Sequence, residues 1–353
     1  MANKNIVLCF DGTWNTPGDS ASPTEDDSTN VFEFYERVSA TTEDGRKQFK
    51  WYNKGVGTEW FNRVRGGAFG LGLDKHIMDG YKILIQNYED GDDIYLIGFS
   101  RGAYTARSLV GLIRNSGLLK NEDEDLIQRA YAVYRSREDV DSEHAMAFRR
   151  ANSRDINIKF VGVWDTVGAL GVPLASFANF DAQQYGFHDT KLSSIVLNAY
   201  HAIAVDENRE PYAATLWGPQ DARDKAKGQI LEQEWFSGAH ADIGGGYPGQ
   251  HPIATLTLRW MQKKASLCAL DVQLIPLPNE DKLLGSDIHD SFREFLGGVF
   301  SHFISRYYRS VGLQDDGPQT VDKSVRKRFV LRSDYRPKNK GLFDIQEIED
   351  AWV

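Results

Sequence analysis

Three residues have the identities, order and flanking sequence needed to turn a hydroxyl into a nucleophile: Ser100, Asp165 and His240. A neutral serine attacks poorly. It needs a base to take its proton, and an imidazole base needs a carboxylate to fix its tautomer and stabilise its charged form. Ser100 sits in Gly98-Phe99-Ser100-Arg101-Gly102, after the apolar run Ile94-Tyr95-Leu96-Ile97 and before Ala103, Ala106, Val110 and Ile113 at helical spacing. That context predicts a buried strand, a sharp turn bearing an exposed serine hydroxyl, and a helix. Glycines flanking the serine then have a mechanical purpose, because they let strand and helix approach closely. Without the strand and the helix the five-residue pattern would carry little weight.

Asp165 follows the run Ile156 to Trp164, a second candidate strand, and precedes Thr166-Val167-Gly168. The competing role for it is a helix N-cap. His240 follows Ile230 to Phe236, within Ser237-Gly238-Ala239-His240-Ala241-Asp242-Ile243-Gly244. A histidine among small residues at the carboxyl end of a strand is accessible and free to move, which suits a general base. His251 is the fallback. Asp242 competes with Asp165 as the acid, but in a glycine-rich loop it more naturally bonds nearby N–H groups, so Asp165 is favoured. The oxyanion would be met by the backbone N–H of Arg101 and by one from Gly12 or Thr13, whose loop follows a neighbouring strand. Asp11 and Asp242 remain as supporting or alternative carboxylates.

These residues need a scaffold that brings strand ends together, and the alternation of elements points to an α/β fold with a mostly parallel sheet flanked by helices. Ile6-Val7-Leu8-Cys9-Phe10 reads as a central strand opening into Asp11-Gly12-Thr13, at the edge where such sheets bind ligands. Val31 to Val38 suggests a helix and Phe49 to Tyr52 a strand. Leu73, Ile77, Leu84 and Tyr88 suggest a helix leading back to the Ser100 strand. Thr16 to Asn30 reads as an exposed loop, and Asn121 to Arg154 as one or two exposed, charged helices. The glycine-rich Arg65 to Gly72 matches neither the Walker pattern nor the dinucleotide fingerprint. His201 to Arg209 reads as helical, and His201, Asp206 and Glu207 as a hydrogen-bonded structural cluster rather than metal ligands, because no second histidine has suitable spacing. We expect one domain over residues 1–353, with a core about 4–265 and a helical, partly basic extension about 270–353.

Composition narrows the function. With 353 residues a large core is available, and 41 Lys+Arg against 50 Asp+Glu give a net charge of −9, which argues against nucleic acid as a partner. Cys9 and Cys268 offer neither a disulfide framework nor a metal site, and a reducing compartment is the simplest reading. The chain shows no membrane span and no secretion signal, so the expectation is a protein that is soluble and cytoplasmic when made, needing no cofactor or metal.

Several blocks taken together resemble a known family. They are Phe10-Asp11-Gly12-Thr13-Trp14-Asn15, Gly55-Val56-Gly57-Thr58, Gly98-Phe99-Ser100-Arg101-Gly102-Ala103, Val163-Trp164-Asp165-Thr166-Val167-Gly168, Ala202 to Arg209, and Trp235 to Tyr247. Their order and content resemble the α/β hydrolases related to the phospholipase effectors of type VI secretion, and Tyr335-Arg336-Pro337 extends the match. The resemblance implies an α/β-hydrolase-like fold, a serine esterase acting on lipid esters, and catalytic roles for Ser100, Asp165 and His240. It also implies secretion by a signal-independent route, although the larger effectors add a membrane-associating region after the catalytic part. The alternatives are an esterase of small soluble or non-lipid esters, and a binding protein that keeps the fold without turnover. Asp11-Gly12-Thr13 is similar to part of an aspartyl-phosphatase motif, but Cys9 stands where that chemistry needs its nucleophilic aspartate.

The C-terminal part raises a question of substrate access. Phe292, Phe295, Leu296, Val299, Phe300, Phe303, Ile304 and Tyr307 recur at helical spacing over Asp290 to Arg309, broken only by Gly297-Gly298. Such a face packs on the sheet or serves as a lid or interfacial anchor. Lys323, Arg326, Lys327, Arg328, Arg332, Arg336, Lys338 and Lys340 follow, a basic run suited to peripheral contact with an anionic membrane.

Overall fold

A computed structural model of the protein describes residues 3–12, 28–55, 69–136, 138–168, 191–247, 249, 251–294, 305–313, 316–345 and 347–348. Among them, one parallel sheet contains β1 (Asn5–Phe10), β2 (Gln48–Asn53), β3 (Asp93–Phe99), β4 (Phe160–Trp164), β5 (Asn198–Ala204), β6 (Ile230–Phe236), β7 (Thr320–Asp322) and β8 (Glu347–Ile348). The spatial order is β2-β1-β3-β4-β5-β6-β7-β8, an α/β-hydrolase-like sheet. Its direction of growth reverses once, between β1 and β3. Open α/β sheets bind ligands beyond the carboxyl ends of the strands at such a point. Register completes the alignment: Phe10 pairs with Gly98, Phe99 with Trp164, and Trp164 with Ala202. Asp11, Ser100 and Asp165 therefore leave the sheet at neighbouring heights.

Parallel strands are covered on both faces, which is why β1 is buried at every position. On one face Leu8, Leu96, Val161 and Val163 meet Ile77 and Leu84 of α2 (Phe69–Asn87) and Leu109 and Ile113 of α3 (Arg101–Ser116). The same cluster takes in Ile127 of α4 (Glu124–Arg135) and Phe148 of α5 (Glu143–Asn152). These last two helices, expected to be exposed, are amphipathic and bury their apolar sides. On the other face Cys9, Ile97, Phe99 and Trp164 pack against Phe34 of α1 (Asn30–Arg37). The short α6 (His240–Gly244) and α7 (Pro252–Leu267) complete that layer through Ile243, Leu256 and Met261. Each such side chain stabilises the fold by roughly 1.5–3 kcal/mol.

Two expectations are corrected. His201 to Ala204, read as helix, is the end of β5: Tyr200, Ala202 and Ala204 face one core cluster and Ile203 another, an alternation masked by the polar residues that follow. The C-terminal part is not simply helical, because it carries α8 (Lys323–Leu331) and also adds β7 and β8 to the sheet. Of the expected helix over Asp290 to Arg309, Ser291–Glu294 forms one turn, and 295–304 lie outside the described residues. The helix does not continue through 305–309, where the Tyr307 N–H is donated to Asn208 O at 2.9 Å and Arg309 turns inward. Residues 56–68, with the first half of the glycine-rich stretch, lie outside the described residues, and Phe69 to Gly72 open α2.

Part of the basic run is committed internally. Arg328 is buried and donates to Leu283 O at 2.7 Å, Lys327 pairs with Glu280, and Arg332 pairs with Asp334 at 2.8 Å. Less charge is left to attract a lipid surface than the sequence suggests. No helix among the described residues is long and apolar enough to cross a membrane.

The β6–β7 contact makes stability depend on pH. Glu234 is fully buried opposite Thr320, and burial, then the Asp322 carboxylate, push it up to about 8. A carboxyl raised in the folded state stabilises fully below its unfolded value of roughly 4.3 and loses that contribution as pH rises to its folded value. Glu234→Gln is therefore expected to match the wild type at pH 5 and to melt several degrees higher at pH 8. Parallel melting temperatures at both values would refute the assignment.

Candidate active site

The turn that carries Ser100 is built by close contacts. Ser100 has φ 58 and ψ −121, and its N–H is donated to Trp164 O at 3.0 Å. A Cβ on Gly98 would lie 2.6 Å from Gly102 O, and one on Gly102 would collide with Phe10 O. Any larger residue at either position would push α3 off the sheet. Ser100 is only 5% exposed, and its side chain makes no capping bond to α3.

Asp165 also has a left-handed backbone, φ 37. Only Ser100, Asp165 and Ala269 do so among the described non-glycine residues, and such strain concentrates at functional sites. Its N–H is donated to Ala202 O at 2.8 Å, which turns the carboxylate across the end of β5. There Oδ2 meets His240 Nδ1 at 2.6 Å, and Oδ1 accepts from Ala204 N at 3.1 Å. The guanidinium of Arg309 covers both oxygens, with Nη1 2.6 Å from Oδ1 and Nη2 3.0 Å from Oδ2. Burial pushes this carboxyl up, but Arg309 and His240 more than offset it and hold it well below the usual carboxylate range.

His240 opens α6, where Gly244 has no side chain and so lets the helix sit on Phe99. The His240 ring lies 4.6 Å from the Phe99 ring, beside Ser100, with Tyr212 edge-on at 5.2 Å. Its backbone N–H is donated to Glu207 at 3.3 Å, and the buried Glu207 also accepts from Arg209 Nη2 at 2.7 Å and Ser291 Oγ at 3.1 Å. With a proton on Nδ1 shared with Asp165, Nε2 is left as the acceptor.

The alternative carboxylates are engaged elsewhere. Asp242 holds His289 Nδ1 at 2.6 Å and the Ala239 N–H at 2.9 Å, as a loop-shaping residue would. Asp11 accepts from Thr29 Oγ1 at 2.6 Å, Tyr52 OH at 2.5 Å and the Gly12 N–H at 2.6 Å, and burial pushes it up to about 6. The Gly12 N–H is thus donated to Asp11, and the Gly12 backbone lies against Phe99 and Ser100. Thr13 lies outside the described residues. His251 meets Tyr247 O at 2.7 Å. His201 accepts from the Thr166 N–H at 3.0 Å, and burial, then Arg107, push it down to about 3, which leaves it a neutral structural group. No cluster of three or more metal-ligating side chains occurs among the described residues.

Residues 4–264 match a family described as T6SS, phospholipase effector Tle1-like, catalytic domain. The chain belongs to that family. An uncharacterized protein of Saccharomyces cerevisiae is 30% identical over 243 residues, 62% of this chain and 33% of the relative. The chain therefore spans about a third of that relative's length. Two solved structures are similar at 18% identity. One is an uncharacterized protein from Pseudomonas aeruginosa, with a TM-score of 0.43 over 78% of this chain and 48% of that one. The other is the Tle1 effector bound to the VgrG spike of the type 6 secretion system, with a TM-score of 0.41 over 70% and 51%. The Tle1-like segment holds Ser100, Asp165 and His240, whereas Arg309 lies beyond it. Sequence reasoning missed Arg309 as a partner of the acid, and it missed Tyr212 beside His240. Neither lies in a motif, and only the folded chain brings them to the site.

Proposed function

We propose that this chain is a serine hydrolase that cleaves carboxyl esters of acyl lipids, phospholipids among them, through an acyl-enzyme. Membership of a phospholipase effector family supports the lipase-type chemistry and the lipid substrate. The observation that carries the residue roles is the 2.6 Å contact between Asp165 and His240 Nδ1, with the imidazole lying on the residue before Ser100. Ser100 Oγ attacks the ester carbon and passes its proton to His240 Nε2. The tetrahedral oxyanion is met by the Arg101 N–H at the start of α3, where helix N–H groups have no partner within the helix. A second donor comes from the Gly12–Thr13 loop, with the Gly12 N–H released from Asp11 or the Thr13 N–H used instead. His240 then gives the proton to the leaving alcohol oxygen as the ester bond breaks. Water, deprotonated by the same nitrogen, frees the acyl group as a carboxylic acid and restores Ser100. Asp165 holds the tautomer throughout, and Arg309 keeps Asp165 ionised.

A fluorophosphonate probe should label the wild type and fail to label Ser100→Ala. Equal labelling of both proteins would remove Ser100 from the mechanism, and absence of labelling in the wild type would favour a binding protein on the same fold. A series of esters of increasing acyl length then separates lipid substrates from small soluble ones, with the lipid reading expecting turnover to rise with chain length.

A further inference from the structure

His240 is held by more than its ring. Ser237, Gly238 and Ala239 lead into it with little side chain to anchor the loop, yet three consecutive backbone N–H groups each go to a different carboxylate. The Gly238 N–H is donated to Asp206 at 2.7 Å, the Ala239 N–H to Asp242 at 2.9 Å and the His240 N–H to Glu207 at 3.3 Å. Gly238 has φ 122, and a Cβ there would lie 2.7 Å from the Asp242 Cβ, so the turn requires glycine. Hydrogen bonds to an ionised acceptor are roughly twice as strong as neutral ones. Three in succession fix the main chain that carries the imidazole.

Each carboxylate is held in turn by a side chain from beyond the Tle1-like segment, which ends at residue 264. Tyr335 OH donates to Asp206 at 3.0 Å, Ser291 Oγ donates to Glu207 at 3.1 Å, and His289 Nδ1 meets Asp242 at 2.6 Å. Glu207 and Asp242 are buried. Burial pushes the Glu207 carboxyl up, but Arg209 more than offsets it, whereas burial leaves Asp206 raised to about 6 against its bonds to Gly238 and Tyr335. Buried carboxylates are costly, and even well-paired ones add little net stability, so a turn that had only to be stable would do as well with apolar packing. We propose that Asp206, Glu207 and Asp242 are positioning residues, which pass the anchorage of the C-terminal region to the His240 backbone and so hold the imidazole beside Ser100. This rests on the reading of His240 as the base. Asp165 sets the tautomer of the ring and the three carboxylates set where the ring stands, and a displacement of about 1 Å can cost roughly 10²-fold in rate.

Steady-state hydrolysis of a soluble chromogenic ester tests this on the full chain, with circular dichroism as a check on folding. Glu207→Ala is expected to lower kcat about 100-fold with KM within about twofold. Asp206→Ala should lower kcat about tenfold, and Asp206→Asn, whose amide oxygen still accepts from Gly238 and Tyr335, should recover most of that loss. Ser291→Ala and Tyr335→Phe remove only a remote hydroxyl and should each lower kcat about threefold or more; they carry the test if Glu207→Ala does not fold. Every variant is also combined with His240→Ala. There none should lower the residual rate further, because the group they position is gone. Wild-type kcat in folded Asp206→Ala, Ser291→Ala and Tyr335→Phe would overturn the proposal, and so would losses as large without His240 as with it, since these mark a structural role. Wild-type turnover by His240→Ala itself would instead refute His240 as the base, and the positioning role with it.

Discussion

Asp165→Asn is expected to lower kcat by roughly 10⁴-fold with little change in KM, the cost of holding a catalytic imidazole in the wrong tautomer. Both carboxylate oxygens are in use, Oδ2 by His240 and Oδ1 by Arg309 and the Ala204 N–H. An asparagine supplies one acceptor and one donor group. If its amide nitrogen faces His240, Nδ1 must become the acceptor and Nε2 carries the proton, which removes the base. If the nitrogen faces Arg309 instead, two donors oppose each other in a buried space and the pocket loses stability. Steady-state hydrolysis of a chromogenic ester, with circular dichroism as a check on folding, reads both outcomes. A folded Asp165→Asn protein with near wild-type turnover would eliminate Asp165 as the acid. Asp242→Asn is the companion, expected to retain most activity because Asp242 serves His289 and the Ala239 N–H.

Arg309→Leu should destabilise the protein by about 3–5 kcal/mol, the usual cost of removing one member of a buried ion pair. The pair is 2% and 0% exposed, so solvent does little to soften the loss. The effect has a direction in pH. Arg309 and His240 hold the Asp165 carboxyl below its ordinary range against burial, so the pair stabilises above the unfolded carboxyl value of roughly 3.9, and that contribution fades as pH falls below it. Without Arg309, burial raises the carboxyl, and the acid limb of both stability and activity moves to higher pH. Denaturant melts between about pH 2.5 and 8 measure this directly, since the wild-type limb lies below roughly 3.9. A variant with wild-type stability and an unmoved acid limb would show that Arg309 does not hold the acid. In a double-mutant cycle with Asp165→Asn, the two losses should fall short of additive.

The central strands, and the placing of Ser100, Asp165 and His240 just beyond their carboxyl ends, were legible because local pattern and tertiary position coincide there. β1 and β3 are unbroken apolar runs, as strands covered on both faces must be, and glycine spacing around Ser100 reflects contacts with Phe10 and Ala103. β5 was misread because His201 is polar yet fully buried, its Nε2 accepting a backbone N–H from the loop that follows β4. β7 and β8 are three and two residues long and have no periodicity to detect. Arg309 was hidden for another reason. It sits 144 positions from Asp165 in irregular chain, and only the folded state brings the charges together. The commitment of the Gly12 N–H to Asp11 was equally invisible, since spacing shows which groups are near but not which one wins a donor.

The Arg309 contact also sets an order of events during synthesis. Ser100, Asp165 and His240 have all left the ribosome well before residue 309, yet until then Asp165 has no guanidinium to keep it charged once buried. A nascent or truncated chain ending near residue 264, where the family match stops, has Ser100, Asp165 and His240 but lacks the cation that keeps Asp165 charged, along with β7 and β8 of the sheet. In the proposed mechanism the segment carrying Arg309 then acts as a built-in safety catch, because Asp165 gains its guanidinium partner only once residue 309 has been added. Probe reactivity across a series of C-terminal truncations should appear only in chains that extend past Arg309.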